Sequence, residues 1–294
     1  QTVSLTAAEY STNPVLISKV LEVEGQRIGY IMYNSFTADY DDELNAAFAD
    51  LKAQGITDLV LDLRYNGGGS VESAVDLSSM ITGQFEGQLF MKEEWNQDYQ
   101  AYFEANNPDY LLNKFNNQIR TGESINSLNL SRVYVLTTKR SASASELVIN
   151  GLNPYINVKQ VGDTTTGKFQ ASVTLYDSKN FGRENANNNH TYAIQPLVLK
   201  SVNKDGVSDY VNGLFPDIPK EESLSNYGVL GDPSEPLLEA AINDILGKPQ
   251  TKQSEALKSA ERKFKIIGNS EMQEPTYQRM YLDEFPGGMI KELE

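Results

Sequence analysis

The sequence predicts an α/β fold built from repeated strand–turn–helix units. Two apolar runs of strand length, TDLVLDLR (57–64) and VYVLTT (133–138), are each followed by a turn of small residues and then by helical spacing. A third run, RIGYIMYN (27–34), precedes the helical stretch 41–54. Alternation of this kind implies βαβ units, in which a sheet with parallel strands is covered by helices.

Taken in order, RIGYIMYN alternates apolar and polar residues as a strand does, and Leu44, Ala47, Phe48 and Leu51 then recur at helical spacing until Gly55 stops the helix. After the strand at 57–64 come Asn66-Gly67-Gly68-Gly69 and a helix with Val71, Ala74 and Val75 on one face. The strand at 133–138 leads through a small-residue turn into a helix over 143–153, ended by Pro154, and into the strand VKQVG (158–162). Residues 88–120 are rich in Tyr, Phe, Asn and Gln, include the sole tryptophan, Trp95, and read as an inserted lid or rim. Beyond 170 two strand-like stretches follow, QASVTLYD and TYAIQPLVLKSV, then a helix near 235–247 and a charged tail from Lys248 that is expected on the surface. The expected organisation is a linker over 1–25, a core over 26–220 and a helical extension over 221–294.

The 294 residues, 39% of them hydrophobic, are enough to bury a sizeable core. A net charge of −15 repels polyphosphates and anionic lipid, so nucleic acid and membrane surfaces are poor partners. The absence of cysteine removes disulfides, thiolate nucleophiles and cysteine-based zinc sites together. Without an initial methionine, a charged-then-apolar leader or a membrane-length apolar run, the chain reads as a processed or excised fragment.

Three segments carry the chemistry. Ser141-Ala142-Ser143-Ala144-Ser145-Glu146 lies where a strand gives way to a helix, a position that exposes a side chain at the sheet edge beside outward-pointing amides. Ala142 and Ala144 leave room for a carbonyl to approach the Ser143 hydroxyl, as glycines do in a nucleophile elbow. Alone, Ser143-x-x-Glu146 ahead of Leu147 and Val148 reads first as a capping box, in which the serine merely satisfies a helix amide. The turn at Gly67, Gly68 and Gly69 exposes backbone amides that can hold an oxyanion, or simply supplies unusual dihedrals to a tight connection.

Gly162 to Lys168 fits the G-x-x-x-x-G-K part of a phosphate loop. Phe169 stands where a magnesium-binding Ser or Thr is needed, and a strand follows where a helix should begin, so no nucleotide is expected. Lys168 is then either a solvated loop lysine or, if burial lowers its pKa from about 10.4 toward 7 or 8, a general base. A Ser/His mechanism would have to use His190, the sole histidine, in an Asn-rich stretch.

Together, DLRYNGGGS, SASASE and TTTGK resemble the S41 peptidases, the carboxy-terminal processing or tail-specific proteases. The resemblance covers roughly residues 25–220. It implies a ClpP/crotonase-like core of stacked βαβ units and a serine endopeptidase acting on polypeptides, unfolded or tagged at the C-terminus. Ser143 is the implied nucleophile and Lys168, 25 residues on, the implied base; Ala144, Gly68 and Gly67 fall at the oxyanion positions. No metal or cofactor is implied. Arg140, Phe169 and Ser172 depart from the family's common glycine, glycine and glutamine, so the group that orients the lysine is open between Ser172 and Gln170. The resemblance also implies an upstream peptide-capturing PDZ domain in many relatives, for which 1–25 is too short, and a cell-envelope location, periplasmic or lipoprotein-anchored. Two other readings stay open: an impaired peptide-binding module on the same fold, and acyl-CoA chemistry on a crotonase-like core.

Overall fold

Strands buried on both faces form the middle of the main sheet, as their unbroken apolar sequences require. The computed structural model describes residues 4, 11–223, 226–250, 267–268, 270–273 and 277–286. In chain order the strands are β1 (Val15–Val23), β2 (Gln26–Tyr33), β3 (Asp58–Asp62), β4 (Gly69–Ser70), β5 (Leu89–Trp95), β6 (Leu112–Lys114), β7 (Arg132–Thr137), β8 (Asn157–Gly162), β9 (Gln170–Ser172), β10 (Leu175–Tyr176), β11 (Ala193–Ile194), β12 (Leu197–Asn203), β13 (Ile218–Pro219) and β14 (Met280–Tyr281). The helices are α1 (Asp41–Ala53), α2 (Val71–Thr82), α3 (Gln97–Asn106), α4 (Ala144–Leu152) and α5 (Pro236–Ile245).

The first sheet has the order β1-β2-β3-β7-β8-β13. From β2 to β13 its neighbours are parallel, and β1 joins antiparallel through a hairpin. Side chains alternate between two cores with the period of a strand. Ile31, Leu59, Leu61, Val133 and Val135 pack with Leu44, Phe48, Leu77 and Leu147 of α1, α2 and α4. Tyr30, Met32, Val60, Tyr134 and Leu136 pack on the opposite face with Leu237, Leu238 and Ala241 of α5. The second sheet runs β4-β14-β9-β12-β5-β6.

Three boundaries differ from the sequence reading. Residues 15–23, expected as linker, are the edge strand of the main sheet, paired with β2 from Val15–Tyr33 to Val23–Gln26. The stretch 88–120, expected as an insertion, supplies β5 and β6 to the second sheet, and Phe90, Trp95, Phe103 and Phe115 within it are buried. Among the described residues of the C-terminal extension, α5 packs on the main sheet, and residues 277–286 return with β14 between β4 and β9 rather than lying on the surface.

Next to that strand, Asp41 at the start of α1 and Asp76 within α2 are buried. Burial, opposed by Ser73 and Arg120 and reinforced by Asp283 and Glu72, pushes Asp41 up to about 7. Burial, then Asp41 and Glu72, push Asp76 up to about 8 against the hydrogen bond from Asn116, with Asp283 adding to the rise. Both carboxyls bind protons more tightly in the folded chain than at their unfolded pKa of about 3.9, so their contribution to stability is complete below that value and is lost as pH rises toward 8. Thermal melts are expected to shift down between pH 5 and 8, and Asp76→Asn, which removes the titration, should flatten that slope. An unchanged slope in Asp76→Asn would contradict the assignment.

Candidate active site

The three serines of the SASASE segment do two different jobs. Ser141 Oγ donates to the Leu63 carbonyl at 2.8 Å, and Ser145 Oγ donates to the Asn66 carbonyl at 2.9 Å. These bonds, with Ala142 N–H to the Asn66 carbonyl at 3.2 Å, stitch the serine turn to the glycine turn that follows β3. Ser143 between them is turned the other way, at φ 60° and ψ −115°, a backbone region that a residue with a Cβ enters only under constraint.

The capping box expected at Ser143 is present, with Glu146 Oε2 accepting the Ser143 N–H at 2.9 Å. The Ser143 hydroxyl donates to the carbonyl of Gln278 at 3.2 Å. A hydroxyl has one proton and two lone pairs, so capping does not prevent the proton from facing the cleft. The cap and the nucleophile position are compatible in one residue.

Glu146 does more than the sequence reading gave it. Besides Ser143 N–H, its carboxylate accepts Gly167 N–H at 2.6 Å, Lys168 N–H at 2.8 Å and Thr165 Oγ1–H at 2.5 Å. It is fully buried; burial raises its pKa, and these four donors work against the rise. One carboxylate thus clamps the serine turn and the lysine turn together. The signal was in the sequence as the fourth position of the cap, with no hint of the second turn.

Lys168 is half-buried, and its amine donates to the same Gln278 carbonyl at 2.5 Å. Burial first, then the neighbouring Arg279, hold its pKa below the ordinary lysine value, while Glu146 opposes them. The phosphate-loop resemblance ends here, because the chain after Lys168 enters β9 and not a helix. Of the two candidates for orienting the lysine, Ser172 Oγ donates to the Met280 carbonyl at 3.2 Å, and Gln170 pairs with Lys200 in the ladder between β9 and β12. Neither is brought to the Lys168 amine; the clamp on its backbone is Glu146.

The glycine turn packs directly against the elbow. A Cβ on Gly68, at φ 109°, would stand 2.6 Å from Ser143 Cβ and 3.0 Å from Ala144 N, so only glycine permits the approach. Gly68 N–H donates to Asn66 Oδ1 at 2.9 Å. Ala144, the first residue of α4, has no partner for its N–H within the helix and lies at the helix's positive end. His190 is engaged elsewhere: its Nε2 is 3.0 Å from Asp177 Oδ2 and its Nδ1 accepts Tyr192 N–H at 3.2 Å. Both ring nitrogens are therefore spent away from Ser143. Among the described residues, no group of three or more His, Asp or Glu is arranged to hold a metal ion.

The family model of peptidase family S41 matches residues 27–218, the span that contains all three turns. The chain is 28% identical over 171 residues to a carboxyl-terminal-processing protease of Picosynechococcus sp., covering 57% of this chain and 35% of that protein. It is 26% identical over 249 residues to the chloroplastic C-terminal processing peptidase of Tetradesmus obliquus, covering 81% and 48%. It thus spans about half the length, or less, of these curated relatives. A crystal structure from Bacteroides fragilis assigned to the S41 proteases is 32% identical and superposes with a TM-score of 0.69 over 82% of this chain and 59% of that one. With a match across most of its length, this chain belongs to peptidase family S41.

Proposed function

We propose that the chain is a serine endopeptidase in which Ser143 is the nucleophile and Lys168 the general base. The observation that supports this best is the shared carbonyl: one backbone oxygen accepts from both the Ser143 hydroxyl and the Lys168 amine. Sharing one acceptor holds the serine hydroxyl and the lysine amine side by side, as a base that is to take the serine proton requires. Neutral Lys168 takes the proton of Ser143 Oγ as the oxygen attacks the carbonyl carbon of a peptide bond. The resulting oxyanion is held by the Ala144 N–H, with the Gly67–Gly68 turn closing the opposite side. Lys168 returns the proton to the leaving amine, and water then releases the acyl group by the same path.

Polypeptides that are unfolded or present a free C-terminal segment are the substrates this reading favours, because β4 and β9 beside the site pair with an extended strand, β14, through their backbones. The resemblance to processing proteases extends the proposal to a place in the cell envelope. Among the described residues no helix is long and apolar enough to cross a membrane. The test is fragment release from an unfolded protein. The wild type is expected to cut it, and Ser143→Ala to lose activity by about 10³-fold or more. Full activity in Ser143→Ala would overturn the assignment.

A further inference from the structure

The groove beside Ser143 is filled by the chain itself. Strand β14 lies between β4 and β9, parallel to both, with Met280 opposite Gly69 and Tyr281 opposite both Ser70 and Ser172. One wall of this groove is the strand that continues the glycine turn, and the other is the strand that follows Lys168. Leu282 N–H donates to the Ser172 carbonyl at 3.0 Å, and Ser172 Oγ donates to the Met280 carbonyl at 3.2 Å. Ser70 bonds the Asp283 carboxylate, and the Arg279 guanidinium bonds Gln195.

The side chains are held as firmly as the backbone. Met280 is fully buried and Leu282 nearly so. Phe285 packs into an aromatic recess, with ring centroids 5.2 Å from Trp95, 5.6 Å from Tyr99 and 5.7 Å from Phe103. A strand with main-chain bonds to a wall, side chains in alternate pockets and a carbonyl at the nucleophile is bound as peptides are bound by β-augmentation.

Yet the segment is not presented for cutting. Gln278, at φ 47°, aims its carbonyl oxygen at the serine proton and the lysine amine. A lysine donating to that oxygen is not accepting the serine proton. The oxygen that should face the Ala144 amide faces the base instead.

We propose that residues 277–286 are a cis-acting occupant of the substrate groove. The slot between β4 and β9 is where a polypeptide strand binds, with the Trp95–Tyr99–Phe103 recess taking an apolar side chain seven residues beyond the carbonyl at Ser143. The tail must leave this slot before another chain can enter. This inference rests on the peptidase reading for its effect on turnover, but not for its effect on binding.

The experiment uses the full chain in a Ser143→Ala background, so that binding is read without catalysis. A fluorescently labelled peptide with the sequence of residues 277–286 is titrated by anisotropy. The tail is loosened in two ways: Met280→Ala with Phe285→Ala, and separately Leu282→Pro, which removes the N–H bonded to Ser172. Circular dichroism and melting identify which variants are folded. Expected is peptide binding at least about tenfold tighter to a folded loosened variant than to the chain with its native tail, since a closed tail reduces apparent affinity by the fraction of open chains. The same changes on the active chain should raise kcat/KM for an unfolded protein by a similar factor, and the added peptide should inhibit competitively. Equal peptide affinity with native and loosened tails would overturn the proposal. Tighter binding without hydrolysis in any active-site-intact chain would leave the occupancy standing and remove the peptidase reading alone.

Discussion

Lys168→Met is expected to lower kcat by about 10⁴-fold at neutral pH while leaving the fold and the capture of peptide intact. The methionine fills the volume of the lysine stem but offers no lone pair for the Ser143 proton. Lys168→Arg should be equally inactive, because a guanidinium remains protonated across the accessible pH range. The wild-type profile supplies the sign. Activity requires the neutral amine, so kcat/KM should rise with pH along the titration of Lys168. Burial and Arg279 place that titration below the ordinary lysine value of about 10.4. Moving Arg279 away with the tail removes one of the two depressing influences, so the tail-loosened chain should titrate at higher pH than the native chain. A profile that is flat in pH, or full activity in Lys168→Arg, would exclude this lysine as the base.

Much of this was legible because it is local. The strand expected over 27–34 is β2, the helix over 41–54 is α1, and the helix over 143–153 is α4 with Ser143 as its cap. Each of these is announced by its own period of apolar residues, and none depends on a distant partner. The serine and glycine turns were readable only in combination with the lysine turn, since each alone has an ordinary use as a helix cap or a tight connection. What escaped has partners far off in the chain. Glu146 reads as a cap because its first partner is three residues away, while its other three donors are 19 to 22 residues on. Residues 15–23, VLISKVLEV, carry β-branched residues that suit a strand, but only the hairpin with β2 gives them a sheet to join. The strand at Met280–Tyr281 is two residues long, too short for any period, and its neighbours in the sheet lie more than 100 and 200 residues earlier.

Arg64→Ala is expected to cost about 3–5 kcal/mol of stability, the largest loss from any single truncation outside the two cores. Its guanidinium is fully buried at the end of β3, where Nε meets both Asp62 oxygens at 3.0 Å and Nη1 and Nη2 each meet a Glu235 oxygen at 2.8 Å. Glu222 Oε1 adds a third carboxylate at 3.1 Å. Asp62 Oδ2 also accepts the Tyr30 hydroxyl at 2.6 Å, and Glu235 caps α5 through the N–H groups of Leu237 and Leu238. Removing the cation leaves Asp62 and Glu235 buried with like charge and no counterion, a larger penalty than the pair itself contributes. The melting temperature should fall by on the order of 10 °C for a chain of this size. Partial rescue by Glu235→Gln in the Arg64→Ala background would identify the stranded charge as the cause. Activity should fall with stability, because the guanidinium bonds to Asp62 and Glu235 anchor the end of β3, from which the chain enters the glycine turn that packs against Ser143. The same arginine thus joins the end of β3, which enters the glycine turn, to the cap of α5, and its loss should loosen the Ser143–Gly68 contact even in molecules that remain folded.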